Sequence, residues 1–297
     1  MRGLGLWVAG LDRTVPVRES REGEDGVGVR STLSVAMVAH NEAENLPRTL
    51  ASVTWADEIV VVDSGSTDGT QEIARGYGAR VFDDAWRGYG GQVNLALDRC
   101  TQAWILNLDA DEVVTPELAR QIQALLAGEP AFEGYTVTRL NLIFGRWMRH
   151  GGLYPDRKLR LFRRGFARLR EDTEPHATPQ PNGPVGQMGG SGEGGGDLLH
   201  FQYPTIDSYI EHMHRYSTAS IPLMLARGKT SSTWMAFVAN TVINPALTFL
   251  YNYVFRMGFL DGREGLTFHL NHALYVNWKY VKAREAARGV ARVDRGI

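Results

Sequence analysis

Hydrophobic positions in this chain follow two periods, and the switching between them predicts most of the architecture. Short apolar runs rich in valine occur at 33–39 (LSVAMVA), 58–63 (EIVVVD), 79–82 (ARVF) and 103–109 (AWILNLD). Runs apolar at successive positions predict strands buried on both faces. Between them lie stretches with helical spacing, near 42–53 after Asn41 and Glu42, at about 68–76, and around 91–99. Thr115-Pro116 predicts another helix start, with threonine as cap and proline in the first turn. Strands alternating with helices imply an α/β fold, a mostly parallel sheet with helices on both faces. In such sheets ligands bind beyond the carboxyl ends of the strands. Four carboxylates are expected at that edge: Glu42 past the first strand, Asp63 ending the second, Asp109 ending the fourth, and Asp111 two residues on.

After residue 134 the pattern changes. GYTVTRLNLIFG (134–145) predicts a strand, and residues 146–170 then carry nine Lys or Arg and one acid, Asp156. The plain reading of that basic stretch is a solvated face with ion pairs; the favoured one is attraction to phosphorylated acceptors or anionic lipid heads. The composition of 183–197 predicts a flexible glycine-rich loop. Ile206, Tyr209, Ile210, Met213 and Tyr216 recur at helical spacing. Residues 230–255 carry no charge, but Asn240, Thr241, Asn244, Pro245, Thr248 and Asn252 interrupt them. That polarity favours an in-plane or dimer-forming apolar surface over a spanning helix. The division expected is a disordered lead-in over 1–31, a nucleotide-sugar and catalytic domain over 32–200, and a helical region over 201–297 for acceptor, membrane or oligomer contacts.

Composition narrows the function. The 297 residues have a formal net charge of -1, which argues against a nucleic-acid binder. Cys100 is the only cysteine, so no internal disulfide forms, as suits a reducing compartment. The amino terminus, MRGLGLWVAGLDR, makes a poor signal peptide. From Lys279 to Arg295 there are six basic and two acidic residues, which suits an anionic membrane surface. The expected location is cytoplasmic, peripheral on the inner face of the cell membrane.

The triplet Asp109-Ala110-Asp111 is the most informative chemistry. Two aspartates flanking one residue after a buried strand can reach the same sheet edge, and their hard oxygens suit Mg2+ or Mn2+ shared with a diphosphate. DSGSTDGT (63–70) follows the second strand. It is either a tight turn built on Gly65 or a site where Asp63 holds a base or ribose. Neither G-x-G-x-x-G nor G-K-[ST] is present there, so dinucleotide and P-loop readings fail.

Three segments in order, VAMVAHNEAENLPRTLASV, WADEIVVVDSGSTDGTQEIA and WILNLDADE, resemble glycosyltransferase family 2, of the GT-A fold. Within it the chain is most similar to the lipopolysaccharide-core β-glucosyltransferase group, through GGLYPDRKLRLFRRG (151–165), GPVG (183–186), LLHFQYPTIDSYIEHMHRYS (198–217) and GFLDGREGL (258–266). The resemblance implies that Asn41 and Glu42 lie near the nucleoside and Asp63 at the uracil or ribose. It implies that Gln92 and Asn94 line the donor site, and that Asp109 and Asp111 hold the metal and diphosphate. His200 would complete the metal site, and Gly151-Gly152 would lie beside the sugar. It further implies an inverting reaction, in which an acceptor hydroxyl attacks while a carboxylate takes its proton. Pro175-His176-Ala177 lacks the glutamate that relatives carry after this histidine. The base is therefore sought in Arg170-Glu171-Asp172 and its neighbour Glu174, with Asp172 preferred and Asp156 next in line.

The function expected is transfer of a sugar, glucose as first choice, from a UDP-sugar to a hydroxyl of a cell-envelope glycan or lipid-linked oligosaccharide such as lipopolysaccharide core. The alternatives are transfer to a polyprenyl phosphate, or a non-catalytic sugar-nucleotide binder of the same fold.

Overall fold

A computed structural model describes residues 30–170, 178–190 and 195–289 of the chain. The first half alternates β1 (Leu33–Ala39), α1 (Leu46–Ala51), β2 (Glu58–Asp63), α2 (Thr70–Gly76), β3 (Arg80–Asp83), α3 (Tyr89–Arg99) and β4 (Trp104–Asp109). There follow β5 (Glu112–Val114), α4 (Pro116–Ala127), β6 (Gly134–Ile143), β7 (Arg146–Met148) and β8 (Asp156–Arg163). Short strands β9 (Ala167–Arg168), β10 (Gln180–Pro181) and β11 (Gly186–Met188) precede β12 (Leu198–Tyr203). The order across the main sheet is β3-β2-β1-β4-β8-β6-β12-β5.

The α/β class expected from the pattern is present. β3, β2, β1 and β4 are parallel, and their side chains alternate between two apolar layers. Leu33, Val35 and Met37 of β1 pack with Leu46 and Leu50 of α1 and Leu118 and Ile122 of α4. Ala36, with Val60 and Val62 of β2, packs on the other face with Val93 and Ala96 of α3. Beyond β4 the sheet is mixed: β8 runs antiparallel to both β4 and β6, β12 parallel to β6, and β5 antiparallel to β12. Strand order reverses between β1 and β4, which opens a crevice at their carboxyl ends.

Three local expectations change. The first helix is shorter than its apolar pattern, because Glu42 to Asn45 form a turn ahead of Leu46. Within the glycine-rich stretch, Gly186–Met188 is a strand paired with β6 rather than loop. Glycine is required there because a Cβ on Gly186 would lie 2.5 Å from the Tyr135 ring. The basic stretch is largely internally paired: Lys158 with Asp156 at 3.3 Å, Arg168 with Asp98 at 2.6 Å, Arg146 with Glu264 at 3.8 Å, and Arg160 turned inward.

The remaining chain is helical, as expected: α5 (Ile206–Ala219), α6 (Ile221–Ala226), α7 (Trp234–Val238), α8 (Asn244–Leu250) and α9 (Gly262–Ala287). α5 starts at a capping box between Thr205 and Ser208. It buries Tyr209 and Met213, whereas Ile206 and Ile210 of the same apolar pattern stay exposed. Tyr209, Met213 and Phe268 of α9 join Ile143, Met148 and Tyr203 in a third apolar cluster that seats these helices on the end of the sheet. Lead-in residues 1–29, the acids Glu171, Asp172 and Glu174, and residues 191–194 and 290–297 lie outside the described residues.

Candidate active site

A cleft of about 810 Å³ opens at the carboxyl ends of β1 and β4. Pairing register builds it: Val38 of β1 faces Asp109 of β4, and Ala39 faces Asp63 of β2. Glu42, Asp109, Asp111 and His200 line it. Its volume suits a small-molecule ligand of nucleotide-sugar size, within the roughly 300–1,000 Å³ usual for such sites.

The turn after β4 is pinned from two sides. Thr49 Oγ1 donates to the Ala110 carbonyl at 2.7 Å, and the Asp109 amide donates to Glu112 Oε2 at 3.0 Å. Beneath the turn lies a buried ion cluster that sequence reading missed. Arg160 Nη2 contacts Asp109 Oδ2 at 2.5 Å and Glu112 Oε1 at 2.6 Å. Arg139 bonds Glu112 at 3.1 Å and Asp156 at 2.7 Å. Burial alone would raise the Asp109 carboxyl, but Arg160 and Arg139 outweigh it and hold that group well below the usual carboxylate range. Asp109 is therefore an anion locked into the protein, with Tyr89 Oη donating to it at 3.2 Å.

Asp111 and His200 are differently placed. His200 lies on β12 opposite Glu112 of β5 on one side and Asn141 of β6 on the other, and the Phe201 amide donates to the Asp111 carbonyl at 3.0 Å. That lattice brings His200 Nε2 to 3.3 Å from Asp111 Oδ2. His200 Nδ1 meets Asn141 Oδ1 at 2.7 Å, while Asn141 Nδ2 donates to the Leu153 carbonyl at 3.4 Å. With its NH2 turned to Leu153, Asn141 offers His200 only an acceptor, so Nδ1 carries the proton. The Nε2 lone pair of a neutral His200 then faces a carboxylate oxygen, which is repulsive unless a proton or cation lies between them. This donor set, one carboxylate and one oriented imidazole, fits a divalent ion that takes its other ligands from a diphosphate. Among the described residues no group of three or more His, Cys, Asp or Glu forms a metal cage.

The other expected site residues hold loops around the sheet edge. Asp63 is buried: Oδ1 accepts from the Gly65 and Ser66 amides and from Gln71, and Oδ2 from Ser66 Oγ. Burial pushes its carboxyl up, but those bonds to Ser66, Gln71 and Gly65 prevail and lower it. Asn41 adopts φ 56° and ties this loop to β1, its amide donating to Ser66 Oγ and its Oδ1 accepting from the Thr67 amide. Gln92 is buried and does not line the cleft; it holds the Asp84 carbonyl and Arg87 amide, the loop that carries Trp86 to the rim. Asn94 bonds both backbone groups of Leu169, two residues before Glu171. Asp156 is tied to Arg139 and Lys158; burial raises its carboxyl, but those cations lower it, which makes it a poor proton acceptor. Glu42 goes the other way: burial raises its carboxyl against the Asn45 hydrogen bond, helped by Asp111 and Asp68.

The helices contribute residues with no motif of their own. His212, Arg215 and Tyr216 of α5 and Tyr275 of α9 line the cleft opposite the acids. The Arg149–Gly152 loop is clamped by the C-terminal region. Buried Asp261 accepts from the His150 amide at 2.8 Å, from the Arg149 amide at 3.1 Å, and meets His150 Nδ1 at 2.9 Å. Gly151 (φ +64°) leaves no room for a Cβ, which would lie 2.0 Å from His269 Nε2.

Residues 34–181 match the family model described as glycosyl transferase family 2. The lipopolysaccharide core biosynthesis glycosyltransferase LpsC of Rhizobium meliloti is 33% identical over 273 residues, 89% of this chain and 97% of that protein. An uncharacterized glycosyltransferase of Rickettsia typhi is 27% identical, over 85% of this chain and 87% of its own. Among solved structures, glucosyl-3-phosphoglycerate synthase from Mycobacterium tuberculosis, in complex with Mn2+, UDP and glucosyl-3-phosphoglycerate, aligns over 37% of this chain and 44% of its own. That alignment has 25% identity and a TM-score of 0.32. The breadth of the match to LpsC, together with the family model over residues 34–181, places this chain in glycosyl transferase family 2 as a glycosyltransferase.

Proposed function

We propose that the protein is an inverting enzyme that transfers a sugar, glucose as first choice, from a UDP-sugar to a hydroxyl of lipopolysaccharide core or a related lipid-linked envelope glycan. The observation that carries the reading is the pairing of Asp111 with His200 Nε2 at 3.3 Å, at the mouth of a cleft of nucleotide-sugar size. The similarity to LpsC along nearly its whole length supports the core-glycan acceptor. In this reading 32–200 is the nucleotide-sugar and catalytic domain, and 201–297 supplies acceptor and membrane contacts on the cytoplasmic face.

Asp111 and His200 would hold Mg2+ or Mn2+, which supplies positive charge where the leaving diphosphate becomes more negative. The chain's own part is preorganisation. Arg160 and Glu112 fix the turn that aims Asp111, and Asn141 fixes the imidazole. Arg215 presents a cation to the same cleft for the departing diphosphate. Trp86 and His40 offer ring faces at the rim for the uracil. The general base is assigned to Asp172, with Glu174 the alternative, because both closely follow Leu169, the residue after β9 that Asn94 anchors. Transfer to a polyprenyl phosphate gains nothing from the structure, since among the described residues no helix is long and apolar enough to cross a membrane.

The test combines turnover of UDP-glucose on a core-oligosaccharide acceptor with UDP binding, for Asp172→Asn and Glu174→Gln. The base variant should lose on the order of a hundredfold to ten-thousandfold in turnover at unchanged UDP affinity. Near-full turnover in both would remove the base from this segment. Loss of UDP binding in both would make these acids part of the donor site.

A further inference from the structure

Most of the large hydrophobic side chains that stand exposed among the described residues lie between Trp234 and Leu274. Residues 234–255 form one unbroken helical run, α7 and α8 joined by π-helical turns. Ile243, Leu247, Leu250 and Val254 recur along it at three- and four-residue steps and share an exposed face. Thr241 and Pro245, on the other side, are buried. α9 runs back antiparallel: the Arg284 guanidinium lies 4.4 Å from the centre of the Phe237 ring near one end of the run, and the Tyr253 and His269 rings meet at 6.1 Å near the other. Its Leu266, Leu270 and Leu274, four apart, make a second exposed stripe. Exposed apolar stripes of this kind on neighbouring helices mark an interaction surface.

Charge indicates what covers it. From 226 to 260 the sequence holds no Asp or Glu. Arg227 and Lys229 precede the run, Arg256 and Arg263 flank the turn after it, and Asp261 is buried in the Arg149–Gly152 clamp. Aromatic rings stand at both ends, Trp234 74% and Phe255 71% exposed. An apolar face with cations and aromatics at its ends matches the boundary layer of an anionic bilayer. A second copy fits worse, because antiparallel two-fold pairing sets Arg227 and Lys229 of one chain against Arg256 and Arg263 of the other.

We propose that the exposed face of the 234–255 run and α9 docks in the plane of an anionic lipid surface. Leu274 on that face directly precedes Tyr275, which lines the catalytic cleft, so docking sets the cleft beside the headgroups. This deepens the proposal of a membrane-borne acceptor and rests on it for its purpose, though the docking itself is measured without any acceptor.

The experiment is flotation of the full chain with vesicles of phosphatidylcholine alone or with phosphatidylglycerol added. Wild type is compared with the double variant Leu247→Asp/Leu270→Asp, with sedimentation velocity and thermal melting on both. The protein should float with the anionic vesicles, less at high salt. The double variant should lose at least tenfold in bound fraction while keeping its melting temperature and its response to UDP. Absence of flotation, flotation unchanged in the variant, or a wild-type dimer that the variant splits would each overturn the proposal. A wild type that floats but ignores UDP would leave docking standing and remove the donor assignment.

Discussion

At the scale of single residues, the site depends on which groups are already committed to the protein. Asp109 is neutralised from below by Arg160, and Asp111 is left facing His200 within the cleft. Asn141 decides the imidazole's tautomer. Asn141→Leu should therefore weaken metal-dependent UDP binding by roughly tenfold to a hundredfold, the usual cost of losing the partner that orients a metal-binding histidine. Asn141→Asp, which keeps an acceptor oxygen, should retain most of it. Titration calorimetry with Mn2+ present checks both, and equal affinity in the leucine variant would show that Asn141 does not orient the imidazole. Arg160→Met should destabilise the fold by about 3–5 kcal/mol, because it strands Asp109 as a buried anion and leaves Glu112 with Arg139 alone. Urea denaturation reads that loss; a change below about 1 kcal/mol would mean that the cluster relaxes without it. Of these residues, only Asp109, Asp111 and His200 were legible beforehand, through D-x-D and the LLHF segment. Arg160 was hidden in a basic stretch whose charge suggested solvent or an anionic ligand. Asn141 and Arg139 sit inside an apolar strand and carry no motif.

At the scale of elements, the α/β half was legible because buried parallel strands write themselves as apolar runs. Four of its strands fall within a residue of the pattern. Beyond β4 the mixed order depends on long-range pairing, such as β12 between β6 and β5, which no local period encodes. Gln92 and Asn94 show the same limit. Both occupy helix α3 near the cleft, but which way an amide turns is settled by partners such as the Asp84 carbonyl and the Leu169 backbone. The Arg149–Gly152 loop gives the prediction at this scale. Asp261→Ala orphans two backbone donors and the His150 side chain, and should cost about 1–3 kcal/mol. Because Leu153, at the end of that loop, steadies Asn141, metal-dependent UDP affinity should fall with it. Melting and calorimetry on the same variant separate the two effects; a stability loss with unchanged affinity would confine the clamp to a structural role.

At the scale of the whole molecule, the helices after Tyr203 close the cleft and carry a weakness to acid. Burial, with Lys279 and His269 adding, lowers the His272 imidazole to about 4, and burial also lowers His212 and His269. In the unfolded chain a histidine titrates near 6.5. The unfolded state thus binds more protons between these values. Stability is complete above about 6.5 and falls as pH drops toward 4. Melting followed from pH 7 to pH 4 should show this decline, and His272→Gln should flatten part of it; an unchanged slope would remove His272 as its source. The central claim, a UDP donor held through a divalent ion at Asp111 and His200, is tested most directly by UDP binding with Mn2+ and with EDTA, in wild type and Asp111→Asn. UDP should bind wild type with Mn2+, and bind at least tenfold more weakly either with EDTA or in the variant, while the variant keeps the wild-type melting temperature. Equal affinity with EDTA, or in Asp111→Asn, would contradict it.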